Sequence, residues 1–234
     1  MRADGERRQR FLQLAAGATF LAIAVVVVLI VVNSSSSGSG GDLKLEGVRE
    51  ISKELKGIPQ YGLLLGDEEA PVELIEFGDL QCPVCRGFAE EVLPPIIQTK
   101  VRSGKVKISF RNFPILGPES AAAGTAAISA GYERLGWNYL EVFYRNQGEE
   151  NSGYADQEFL EAIAKAVGVN NMERWEKGLE SLAFEAEATT EQAEELGFTG
   201  TPSFAITGPG TDGVEALGTP SSAKALEEAI AQAE

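Results

Sequence analysis

"VELIEFGDLQCPVCRGFAEEVLPPI", residues 72–96, decides how this chain is read. It opens as an apolar run rich in β-formers, VELIEFGD (72–79), and passes through Leu80 and Gln81 into CPVCRGFAEEVLPPIIQT, whose composition is helical. Pro83 suits the first helical position, where its missing N–H would have no intrahelical partner anyway. Phe88, Val92 and Leu93 share one helical face, and Pro94-Pro95 is expected to bend or end the helix. KVKISFRNF (105–113) reads as a second strand, with Val106, Ile108 and Phe110 alternating. Strand, helix, strand makes a βαβ unit, with Cys82 and Cys85 at the C-terminal edge of its first strand. Open α/β sheets carry their sites at that edge.

These are the only two cysteines in 234 residues, and the chain has no histidine. A structural zinc site of thiolates and imidazoles needs four ligands, so no metal site is expected. Without histidine the Ser-His and Cys-His hydrolytic pairs are also disfavoured. A disulfide across two intervening residues would be a poor staple, because so short a loop constrains the unfolded chain little. A redox couple makes better sense of the position. Cys82 would stand at a helix start, where unpaired N–H groups and the helix dipole favour a thiolate, and is expected to be the exposed nucleophile. Cys85, one turn on, could resolve a mixed disulfide. Val84 between them offers the thiolate neither charge nor hydrogen bond.

Glu76 interrupts the apolar LIEF, and strand alternation places it with Leu74 and Gly78, opposite Ile75 and Phe77. A half-buried carboxyl there could carry protons for Cys85; the competing reading is a solvent-facing glutamate on an edge strand. Arg86 and Arg111 lie near the cysteines in sequence and are read as solvated surface residues. GTPSF (200–204) opens another strand, TPSFAIT (201–207), with a proline at its first turn. GVEAL (213–217) is a possible short partner, and PSSAKALEEAIAQA (220–233) a C-terminal helix with a serine cap. The middle, about 118–190, is helical and rich in buried-type aromatics: Trp137, Phe143, Tyr144, Phe159 and Trp175. They are read as the core of a helical subdomain inserted between sheet elements rather than as a cofactor pocket.

The chain's beginning is of another kind. MRADGERRQR (1–10) holds four arginines, and FLQLAAGATFLAIAVVVVLIVV (11–32) has no charge. A helix of that length is about 33 Å long, enough for a hydrocarbon core of about 30 Å. The run is longer than the apolar part of a cleaved signal peptide, so a retained anchor is expected, with residues 1–10 cytoplasmic and everything after Val32 extracytoplasmic. NSSSSGSGG (33–41) reads as a flexible tether to a domain over 42–234. The whole chain carries a net charge of −15, which argues against nucleic acid or an anionic surface as partner.

Together, GLLLGDEEAPVELIEFGDLQCPVC (62–85), FRNFP (110–114) and GTPSF resemble the DsbA-like thiol:disulfide oxidoreductases of the thioredoxin superfamily, in particular the membrane-tethered Gram-positive and actinobacterial forms. The resemblance covers about residues 57–233, the middle helices matching only in kind. It implies an α/β, thioredoxin-like fold with an inserted helical subdomain behind one transmembrane helix, needing no cofactor. It further implies an extracytoplasmic enzyme that passes its disulfide to reduced exported polypeptides; separately, the sequence shows no dimerisation module, and a monomeric ectodomain is expected. A membrane partner of the DsbB or vitamin K epoxide reductase type would restore the disulfide. On this resemblance Cys82 is the nucleophile, Cys85 the resolving thiol, Pro83 and Val84 the tuning dipeptide and Glu76 the buried acid. Pro202 is then a cis-proline facing the disulfide, with Thr201 offering its backbone to an extended substrate. Strong oxidants of the family carry histidine where this chain has Val84. A reductase or isomerase of the same fold, and a tethered module with an inert disulfide, are the alternatives.

Overall fold

The computed structural model describes residues 43–234. The expected anchor, cytoplasmic tail and tether lie outside the described residues. Among the described residues no helix is long and apolar enough to cross a membrane.

A six-stranded sheet, β1 (Gln60–Tyr61), β2 (Leu64–Leu65), β3 (Val72–Gly78), β4 (Val106–Asn112), β5 (Ser203–Thr207) and β6 (Glu215–Gly218), runs in the order β1-β2-β4-β3-β5-β6. β3 and β4 are parallel, while every other pairing is antiparallel. The crossover between β3 and β4 is the helical run α2 (83–101), completing the βαβ unit. β3 is the inner strand and is buried on both faces, which explains its near-continuous apolar reading. Its alternation separates two cores. Val72 and Leu74 join Ile108 and Phe110 of β4 and Phe204 and Ile206 of β5 on one face, whereas Ile75 and Phe77 meet Phe198 and Ala205 on the other.

The proline pair does not end α2. An α-turn (Pro83–Gly87) gives way to a wider π-turn (Phe88–Val92), the α-helix resumes at Leu93–Ile96, and a second π-turn closes it at Ile97–Val101. Pro94 and Pro95 fall in the first turn after a widened one, where the hydrogen-bond ladder is already interrupted and their missing N–H groups cost little.

Before the sheet, α1 (Val48–Leu55) buries Ile51 and Leu55. Between β4 and β5 stand α3 (Pro118–Gly131), α4 (Gly136–Arg145), α5 (Gln157–Val167), α6 (Met172–Ser181) and α7 (Ala183–Glu195). Asp156 and Asn171 cap α5 and α6 by accepting from the backbone N–H groups of Phe159 and Arg174. Ser222 does the same for the last helix, α8 (Ala223–Ala233). The five aromatics singled out in the insertion are buried, with Phe143 and Phe159 edge to face at 5.4 Å. The indole N–H groups donate to Leu63 O (Trp137) and Ala126 O (Trp175), so these rings are satisfied core rather than pocket lining.

Candidate active site

Cys82 is the N-cap of α2, extended at φ −73° and ψ 120°, and Pro83 takes the first helical position. Both cysteines are free thiols. Cys82 is 6 % exposed and Cys85 0 %. The expectation of an openly exposed nucleophile is therefore corrected. The loop before β5 folds over the sulfur, and Thr201 O lies 3.4 Å from Cys82 Sγ, within reach of its S–H when the thiol is protonated. The Thr201–Pro202 peptide bond in that loop is cis. Two hydroxyls fasten the loop: Thr219 donates to Pro202 O at 2.7 Å and Ser203 to Gly200 O at 2.7 Å. Val84 remains 53 % exposed, an apolar surface residue beside the thiol.

The two sulfurs sit in opposite electrostatic settings. A hydrogen bond from the Cys85 thiol, opposed by burial and aided by the Thr201 side chain and the N–H groups of Cys85 and Val84, draws Cys82 down from 9.0 to about 6. Burial pushes Cys85 far up, and the neighbouring Cys82 and Glu76 add to the push. At neutral pH the pair is a thiolate beside a thiol.

Glu76 lies on the Leu74 face, between Phe110 of β4 and Phe204 of β5 in register, and is 1 % exposed. This excludes the edge-strand reading. Burial raises its carboxyl from 4.5 to about 8, with Glu141 and Cys82 adding, and its Oε1 has no hydrogen-bond partner. A buried acid of that pKa is protonated at pH 7 and can give or take a proton at small cost.

Four residues hold the strand-to-helix loop; sequence reasoning missed three of them and read the fourth, Tyr144, only as core. Asp79, wholly buried, accepts from Gln81 N–H at 2.8 Å through Oδ1 and from Leu116 N–H at 2.9 Å through Oδ2. Gln81 donates to Ser120 Oγ at 3.0 Å and accepts from Asn151 N–H at 2.8 Å. From α4 and the turn after it, Tyr144 donates its hydroxyl to Asp79 O at 3.3 Å, and Gln147 Nε2 donates to Leu80 O at 2.7 Å and Cys82 O at 3.1 Å. Gly78 makes room here, since a Cβ would lie 2.5 Å from the Phe110 ring and 3.3 Å from the Tyr144 hydroxyl. Asp79 and Gln81 flank the motif and were open to notice; Tyr144 and Gln147 carry no local signal. Arg86 turns away from Cys82 to pair with Glu90 at 3.2 Å, and Arg111 is half-buried rather than solvated.

Residues 60–231 match the thioredoxin family described as Thioredoxin_4. The chain belongs to this thioredoxin family. Its similarity is to a Bacillus cereus protein named probable disulfide bond formation protein D, 31 % identical over 150 residues that span 62 % of this chain and 69 % of that one. The Bacillus subtilis disulfide bond formation protein D is 27 % identical over 156 residues, 65 % of this chain and 68 % of that one. Among solved structures, oxidised BdbD from Bacillus subtilis superposes with a TM-score of 0.65 at 24 % identity, covering 75 % of this chain and 95 % of that one. Wolbachia pipientis α-DsbA1 gives 0.63 at 22 % identity over 73 % and 89 %. This thioredoxin-family chain is thus a DsbA-like thiol:disulfide oxidoreductase domain, with the inserted helices that the sequence suggested, and a redox-active enzyme.

Proposed function

We propose that this protein is a membrane-anchored extracytoplasmic oxidase, of the Gram-positive or actinobacterial kind, that donates its Cys82–Cys85 disulfide to reduced exported polypeptides. A substrate thiolate attacks Cys82 Sγ, the disulfide breaks, and Cys85 leaves with its electron pair. Glu76 supplies the proton that this buried sulfur cannot do without. A second substrate thiolate then attacks the substrate sulfur of the mixed disulfide, and Cys82 departs as a thiolate. The substrate is oxidised and the enzyme ends reduced, two electrons richer. A membrane protein of the DsbB or vitamin K epoxide reductase type then takes the electrons.

The observation that carries this reading is Cys82 at the N-cap of α2 with Cys85 buried one turn on, an arrangement that draws the Cys82 thiol down. A thiolate held near 6 is a good leaving group, and it stabilises the reduced form, which is what makes a couple oxidising. Pro83 and Val84 set the helix start, while Thr201, beside Cys82, offers backbone groups to an extended peptide of any sequence. The names of the Bacillus relatives support the direction, and the arginines before the apolar run 11–32 support the anchor and its orientation. Replacing Cys85 by serine in growing cells tests the reading. Without Cys85 the enzyme cannot form its own disulfide, so its Cys82 thiolate should attack disulfides already made in exported proteins, expel one substrate sulfur as thiolate and stay joined to the other, while the unaltered enzyme should be found mostly oxidised. Unaltered enzyme trapped mostly as dithiol would point instead to a reductase, and no trapped species to an inert module.

A further inference from the structure

A buried acid that serves a buried thiol needs a way to exchange its proton with water. At neutral pH the reduced enzyme holds protons on both Cys85 and Glu76, yet Glu76 must be ionised to take the Cys85 proton when the disulfide closes. One proton therefore crosses between Glu76 and solvent in each cycle. Glu76 is 1 % exposed and lies between Phe110 and Phe204 in register, so it does not meet bulk water itself. Other ionisable groups at this end of the sheet are poor carriers. Tyr144 holds its proton far above neutral pH, Asp79 has both oxygens engaged by backbone N–H groups, and Cys82 is the reacting sulfur.

Glu141 of α4 is placed for the task. α4 packs on α1 and on the first widened turn of α2. Tyr144, three residues on and so on a neighbouring part of the helix surface, lays its hydroxyl against Asp79 O and 3.3 Å from where a Cβ of Gly78 would stand. Gly78 shares its strand face with Glu76, so this side of α4 covers the face that carries the buried acid. The charge of Glu141 raises Glu76 more than that of Cys82 does, which puts the two carboxyls within electrostatic reach.

Glu141 is part-buried and also lines a groove of about 540 Å³ between α1 and α2. Ile51, Leu55, Pro94 and Pro95 give the groove apolar walls, and the exposed Glu50, Lys53 and Glu54 of α1 open it to water. The cations around Glu141 are engaged elsewhere: Arg145 lies 3.5 Å from Glu90 of α2, and Arg102 donates to Glu54 O at 2.6 Å and Lys56 O at 3.0 Å. Among the described residues Glu141 makes no salt bridge. Burial, with Glu54 and Glu90 adding and Arg145 opposing, raises it to about 8, level with Glu76. Carboxyls of matched acidity pass a proton between them at little cost.

We propose that Glu141 is the proton relay between Glu76 and solvent, working through the groove between α1 and α2. When a mixed disulfide at Cys82 closes, Glu76 first gives its proton to the Glu141 carboxylate, and Glu141 gives it to water in the groove. The Glu76 carboxylate then takes the Cys85 proton as the Cys85 sulfur attacks Cys82 Sγ and expels the partner's sulfur as a thiolate. In disulfide donation the relay runs inward and refills Glu76 after it has protonated Cys85. This rests on the proposed role of Glu76, and not on the net direction of electron flow.

The closing step tests it. Reduced full-length protein is mixed with excess oxidised glutathione at pH 7, and acid-quenched samples are resolved by mass into dithiol, mixed disulfide and closed disulfide. Glu76→Gln should slow the conversion of mixed to closed disulfide by roughly 10²-fold, and Glu141→Gln by at least roughly tenfold. Glu141→Asp keeps the carboxyl and should close faster than the glutamine variant. In the double variant Glu141→Gln should add nothing to Glu76→Gln, because the relay acts through Glu76 alone, whereas disturbed packing would add its own effect. Charge alone predicts the opposite sign. Without the negative Glu141, Glu76 ionises at lower pH, so a Glu141 that only raised Glu76 would speed closing when replaced. Unchanged or faster closing in Glu141→Gln overturns the relay while leaving Glu76 its role, as does an additive double variant or an aspartate variant no faster than the glutamine one. Parent-like closing in Glu76→Gln overturns the role of Glu76 and the relay with it.

Discussion

Cys82 and Cys85 stand one helical turn apart, and the fold surrounds them in opposite ways. Around Cys82 are helix N–H groups, the Thr201 side chain and a narrow opening to solvent; around Cys85 are the buried side of α2 and a protonated Glu76. The difference between one end of the motif and the other, more than the motif itself, divides the chemistry into an attacking sulfur and a resolving one. The same four-residue spacing without a cis Thr201–Pro202 loop on one side and a buried acid on the other would be only two neighbouring thiols.

The largest effect should come from removing either sulfur. Cys82→Ser should bring thiol–disulfide exchange down to the uncatalysed rate in a glutathione assay, whereas Cys85→Ser should complete the first exchange and stall as a mixed disulfide. If the two variants behaved alike, the division of roles would be broken.

Glu76→Gln probes the inner side. A carboxyl raised from 4.5 to about 8 in the folded state destabilises the fold progressively as pH rises through that window, since the unfolded chain holds fewer protons there. The glutamine variant should match the parent in urea unfolding at pH 4 and exceed it above pH 8, by on the order of 3 kcal/mol. In the exchange assay it should slow the departure of Cys85.

Thr201→Val probes the outer side. Thiolate absorbance at 240 nm should titrate near pH 6 in the parent and higher in the variant, by a fraction of a pH unit. The sign follows from the depression of Cys82: its stabilisation of the reduced form is full above 9.0 and lost as pH falls through about 6. The reduction potential should accordingly change by about 30 mV per pH unit above that midpoint and about 59 mV below it, one proton and then two accompanying two electrons. A single slope across the range would contradict the pairing of thiolate with thiol.

The smallest effects belong to the clamp from the helical insertion. Gln147→Ala removes two hydrogen bonds to the backbone around Cys82 and should cost about 1–2 kcal/mol of stability. Tyr144→Phe removes one bond of 3.3 Å and should cost about 1 kcal/mol or less. Denaturant midpoints of the reduced protein measure both.

The half of the site that sequence made legible is local. The alternation in VELIEFGD sets Glu76 on the Leu74 face because a strand has period two, and CPVC announces a helix start because proline and the dipole act over one turn. The parallel βαβ crossover follows from the same short-range patterns. What stayed hidden depends on distance along the chain. Gln147 meets the carbonyl of Cys82 across 65 residues, and nothing in FYRNQ marks it as more than a polar helix end. Pro94-Pro95 misled in the other direction: proline rules anticipate a break, whereas widened turns absorb the pair.

The most direct test of the oxidase reading is the reduction potential of the Cys82–Cys85 couple at pH 7, equilibrated against glutathione buffers. A thiolate held down to about 6 should place it above about −180 mV, among couples that give their disulfide away. A value below about −230 mV, toward that of thioredoxin, would mean that Val84 leaves the thiolate too weakly held and that electrons run the other way.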